Sequence, residues 1–128
     1  MHILALQASI VVTEHPEKIC HFVGFANDSE ASENYLLLQR DFESIDDGTD
    51  TPHLEWCGQR WSGYGLIESA VLGAEHLEVM LSAEGMELLG GATHVGVSFS
   101  IPQEGFLQLK ESLTHIFRGT SDLHFSNA

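Results

Sequence analysis

The sequence predicts a single α+β domain: a mostly antiparallel meander sheet with a C-terminal amphipathic helix packed on one face. Three observations predict it. Residues 76–82 and 94–100 alternate apolar and polar side chains with the period of a half-buried strand. From Pro102 to about Arg118, apolar side chains recur instead at helical spacing, through Phe106, Leu109, Leu113, Ile116 and Phe117. The connections between segments are short, which favours antiparallel pairing of consecutive strands. With 128 residues the chain has the size of one domain, and no internal repeat or domain-scale linker divides it, so 1–128 is read as one unit.

The elements follow in order. The apolar run Met1 to Val12 lacks a basic start and a small-x-small cleavage site, so it reads as a first strand rather than a signal peptide. Its β-branched part, 8–13, is expected to pair as a hairpin with 20–26 across the proline-bearing turn 14–18. Residues 27–34 are a polar loop, and 35–42 suit a third strand or a short helix. The clearest loop is 43–52, where Gly48 and Pro52 break the chain among acidic side chains. A strand at 53–57, a glycine-rich turn at 58–65, and strands at 66–72 and 76–82 come next. On that last strand Leu77, Val79 and Leu81 share one face, and His76, Glu78 and Met80 the other. Residues 83–89 make one or two helical turns, ended by Gly90-Gly91. Pro102 opens the long helix, where its missing N–H costs nothing, and Gly119 closes it.

Composition narrows the function. Nineteen acidic against five basic side chains give a formal net charge of −14, while a hydrophobic fraction of 43% separates the chain from a disordered acidic tail. That charge repels nucleic acid and anionic lipid, keeps the domain soluble and favours cationic partners. No apolar run approaches a membrane span, and the expected location is the cytoplasm. Cys20 and Cys57 belong to no CxxC pair; they read as reduced thiols, with a single disulfide as the alternative.

Catalytic spacing is hard to find. The eight histidines form no HExxH or HxH pattern. His53 and Glu55 share a strand face, as ligands would, but a solvated face explains such a pair as well. Ser62-Gly63-Tyr64-Gly65 lacks the G-x-S-x-G of a nucleophile elbow, and 58–65 lacks the Gly-Lys-Ser/Thr of a phosphate loop. The acids of 43–50 do not follow the register of a calcium-binding loop. No catalytic residue, metal site or cofactor is therefore assigned. A small metal-dependent hydrolase using the acidic loop stays as one alternative, and a homo-oligomeric module pairing through a sheet edge as another.

What stands out is a binding surface. Trp61 sits in the glycine-rich turn beside Arg60, with Tyr64 three residues on. Aromatic side chains with an arginine on a loop are typical interface anchors, although Trp61 can equally fold back as a lid. Trp56 is expected in the core. The compact acidic cluster Glu43, Asp46, Asp47 and Asp50 precedes this turn in sequence. Together with Arg60, Trp61 and Tyr64 it forms the expected partner-binding set.

Glu33 to Arg40, Glu55-Trp56-Cys57 and Ser62-Gly63-Tyr64-Gly65 resemble the immunity protein 10 family of bacterial polymorphic toxin systems. Val23-Gly24-Phe25-Ala26 and the final helix with Phe106, Leu109 and Ile116-Phe117 share the likeness, which spans about residues 21–118. The resemblance implies a non-enzymatic antitoxin that binds a cognate protein toxin, by plugging its active site or holding an exosite. A nuclease toxin, cationic because its substrate is anionic, suits the charge of this chain. A homodimer is compatible with that role.

Overall fold

The computed structural model describes residues 3–15, 17–27, 34–42 and 51–126. The strands are β1 (Ile3–Gln7), β2 (Ile10–Val12), β3 (Cys20–Ala26), β4 (Tyr35–Asp41), β5 (His53–Trp56), β6 (Ser62–Tyr64), β7 (Ile67–Leu72), β8 (His76–Leu81), β9 (His94–Ser98) and β10 (Leu123–Phe125). Among the described residues the helices are α1 (Ala83–Leu88) and α2 (Gln103–Ile116), with a 3-10 turn at Gln59–Trp61. The α+β class expected from the sequence is what forms.

Among the described residues the strands divide into two five-stranded sheets. One has the order β1-β9-β8-β7-β10 and the other β2-β3-β4-β5-β6. The second is a pure antiparallel meander; the first contains the antiparallel run β7-β8-β9, with β1 and β10 added parallel at its two edges. The chain changes sheet at Ala8–Ser9. Ala8 N–H donates to Ser98 O (2.8 Å) in the first sheet, whereas Ser9 N–H donates to Ala26 O (3.0 Å) in the second. The apolar run expected as one strand is thus two, because these adjacent amides bond to different sheets. The expected hairpin does form, with Ile10 opposite Ala26 and Val12 opposite Gly24.

The core lies between the inner faces. Leu77, Val79 and Leu81 on β8 are buried, as are Val95 and Val97 on β9. From the second sheet come Val23, Phe25, Leu36, Leu38 and Leu54. The Phe25 and Phe99 rings stack across the two layers, centroids 5.8 Å apart. Helix α2 packs on β3 and β4. Its stripe holds as expected: Leu109, Leu113 and Ile116 are fully buried, each contributing roughly 2 kcal/mol by removal from water. The short helix α1 starts at Ser82, whose hydroxyl accepts from Gly85 N–H (3.2 Å) and donates to Gly65 O (2.7 Å). Those two bonds tie α1 to the β6–β7 connection.

Candidate partner-binding site

The site begins where β5 runs out. Cys57 has a left-handed φ of 55°, which costs energy for a residue with a Cβ, and Gly58 follows at φ 145°. This turn delivers the chain into the 3-10 turn. Trp61 N–H donates to Gly58 O (3.0 Å) and Ser62 Oγ donates to Gln59 O (2.6 Å), so the turn is closed on itself. The Arg60 guanidinium lies 4.9 Å from the centroid of the Trp61 ring and orders the indole through a cation–π contact. Trp61 nevertheless remains 37% exposed.

One face of Trp61 borders a cavity of ≈ 360 Å³ at the open corner between the sheets. Trp56 and Cys57 line it from the end of β5, Leu4 from the edge strand of the other sheet, and Leu88, Leu89 and Gly90 from the end of α1. Glu87 is the acidic side chain of its lining. Trp56 is half-buried: it packs against the core and also forms a wall of the cavity. Trp61 is neither a closed lid nor a free anchor: it forms the rim of a concave apolar site. Such a site, with two indoles and few polar groups, suits an apolar or aromatic side chain.

The thiols are not poised for chemistry. Burial pushes the Cys57 thiol up, opposed in part by its hydrogen bond with the Tyr35 backbone. Burial also raises Cys20, with the Asp41 carboxylate adding to it. Both are free and protonated at neutral pH; they flank opposite ends of β4, Cys20 opposite Asp41 and Cys57 N–H bonded to Tyr35 O. A disulfide between them is ruled out by that separation. Tyr35 donates its hydroxyl to Glu55 at 2.6 Å, and burial together with that carboxylate takes the phenol up to about 12. His53 instead packs edge-on to Tyr64, centroids 4.8 Å apart, and its Nδ1 is buried. Burial lowers His53 against the opposing pull of Glu55 and Asp41. The His53–Glu55 pair is thus engaged with two different tyrosines. Among the described residues, no three His, Cys, Asp or Glu side chains converge as metal ligands.

Of the expected partner-binding residues, the structure describes Arg60, Trp61 and Tyr64. Glu43, Asp46, Asp47 and Asp50 lie outside the described residues. The end of β4 at Asp41 and the start of β5 at His53 stand at one end of the second sheet. Tyr64 is opposite His53 at that end and is 42% exposed. Arg60 and Trp61 follow the other end of β5. Tyr64 is thus separated from Trp61 although only three residues apart, because β6 runs back along β5. The contributions of Leu4 and of Glu87 to Gly90 were also missed. The Leu88-Leu89-Gly90-Gly91 string marked a helix end but carried no sign that it faced Trp61.

A family model described as Immunity protein 10 matches residues 7–107. The match takes in β2 to β9 and the first residues of α2. No curated protein matches the chain. No solved structure matches it either.

Proposed function

The chain belongs to the Immunity protein 10 family, and from that premise we propose that it binds a cognate bacterial toxin in the cytoplasm and neutralises it without catalysing a reaction. The observation that carries this reading is the family match over residues 7–107, which spans every wall of the Trp61 cavity except Leu4. The binding set proposed for the toxin is Trp61, Arg60 and Tyr64 together with the acids Glu43, Asp46, Asp47 and Asp50. Trp61 supplies apolar contact at a concave site. The acids and the net charge of −14 accelerate encounter with a cationic partner, and a nuclease is the cationic class that fits best.

The test is co-expression with the toxin domain encoded beside this chain, scored by cell survival and by isolation of the complex. Survival with a stoichiometric complex is expected. A toxin that kills equally in the presence of the folded chain would refute the reading.

A further inference from the structure

We propose that the free edge of β1 is a docking rail, onto which an extended segment of the toxin adds as a sixth strand and places one apolar side chain in the Trp61 cavity. This rests on the immunity reading and names the shape of the bound segment. β1 ends its sheet, and among the described residues no strand pairs with its outer side. The orientation of its backbone can be read from the register. Gln7 is opposite Ser98, and Ser98 O accepts from Ala8 N–H at 2.8 Å. In a parallel ladder the residues of one strand alternate between facing the neighbour and facing away. The even positions therefore bond to β9, and the N–H and C=O groups of Ile3, Ala5 and Gln7 point to the open edge.

The same parity sorts the side chains. Leu6 is buried and Leu4 lines the cavity, while Ile3, Ala5 and Gln7 are exposed on the outer face. A strand laid along this edge would meet unpaired donors and acceptors at every second residue. Its side chains on the inner side would fall beside Leu4, at the mouth of a cavity large enough, at ≈ 360 Å³, for an aromatic group. Main-chain bonds with a pocket for an alternate side chain make up strand addition as a recognition mode. Charge selects the occupant. Glu87 borders the cavity and the chain carries a net −14, so basic residues flanking the inserted side chain are favoured. The same charge opposes a second copy of this chain at that edge.

Ala5→Pro tests the rail. It deletes an N–H that faces the open edge and spares every bond to β9, a placement that strands tolerate. The probe is the toxin domain encoded beside this chain. Amide exchange is followed in the free chain and in the complex, with circular dichroism checking that the variant folds. Protection of Ala5 and Gln7 amides on binding is expected, with a roughly fivefold to tenfold weaker complex for Ala5→Pro, the worth of one hydrogen bond. A complex that forms while those amides exchange as in the free chain overturns the rail and leaves the immunity reading standing. Unaltered exchange overturns it even if Ala5→Pro misfolds, since that readout needs no variant. Protection in the free chain with a doubled mass by light scattering overturns it in favour of a second copy. Absence of any complex overturns both.

Discussion

Arg40 Nη1 donates to the main-chain carbonyl of Ile116 at 2.8 Å, and so joins the middle of the second sheet to the end of α2. The same nitrogen reaches Arg118 O at 3.3 Å. Arg40 is only 5% exposed. Its charge lies at the negative end of the helix, where the last carbonyls have no partner within the helix. Arg118 closes the loop by donating to Phe42 O at 3.2 Å. A buried arginine is thus a helix cap supplied by a strand far away in sequence.

Arg40→Met should therefore destabilise the fold by about 2–3 kcal/mol, since it removes a charged donor from the buried carbonyl of Ile116. Arg118→Met, at the more exposed of the two arginines, should cost only about 0.5 kcal/mol. Urea unfolding of both variants measures the difference. Equal midpoints would show that Arg40 does not hold the helix end.

That cap was invisible in the sequence, where Arg40 read as one polar residue on a strand. Periodicity found the strands because a buried face leaves a mark every second residue, as Leu77, Val79 and Leu81 do. It found α2 for the same reason at helical spacing. Periodicity does not say which strand is the neighbour. The parallel partners of β1 and β10 are distant in sequence, so the split into two sheets was not legible. The site fared likewise. Trp61 was marked by residue type, but the opposing wall of its cavity comes from Leu4 and the end of α1, which only the fold brings near.

Gly85 and Gly105 should respond to alanine with opposite signs. A methyl at Gly85 would collide with the main-chain oxygen of Leu66, which accepts from Ser82 N–H while the Ser82 hydroxyl holds the adjoining Gly65 O. Backbone must move, so Gly85→Ala should cost about 2 kcal/mol even after the helix-propensity gain of about 1 kcal/mol. At Gly105 the methyl meets Ile101 and Pro102 side chains at 3.7–3.8 Å, an ordinary contact. Gly105→Ala should stabilise by about 0.5 kcal/mol. Thermal unfolding decides both, and a stabilised Gly85→Ala would mean that α1 can slide from the β6–β7 connection.

Stability should fall as pH drops below neutrality, and His21 is one cause. Its ring stacks on His115 with centroids 4.6 Å apart and meets Phe42 edge-on at 4.8 Å. Burial first, then His115, Arg118 and Arg40, lowers His21 below its ordinary value of 6.5. The unfolded chain thus takes up the proton more readily than the folded one. The neutral ring imposes no penalty above pH 6.5, and stability is lost as pH falls through 6.5 towards the folded value. His53, lowered chiefly by burial, acts in the same sense. His21→Phe should reduce the loss between pH 7.5 and 5.5, measured as the shift in urea midpoint. An unchanged shift would assign the acid sensitivity elsewhere.

Binding energy and encounter rate should separate between Trp61 and the acids Asp46, Asp47 and Asp50. Trp61 is partly exposed, so Trp61→Ala should change folding stability by no more than about 1 kcal/mol. If the cavity rim anchors the toxin, the same change should weaken the complex by about 2 kcal/mol, chiefly through faster dissociation. Reversal of Asp46, Asp47 and Asp50 to lysine should instead slow association and weaken its salt dependence. The start of β5 at His53 and the turn at Gly58 are roughly 15 Å apart, beyond the usual range of direct coupling. The two sets of changes should then add within about 0.5 kcal/mol when combined. Surface plasmon resonance with the toxin domain over a salt series resolves each rate. A combined variant no weaker than the poorer single variant would mean that the three aspartates and Trp61 grip the same part of the toxin.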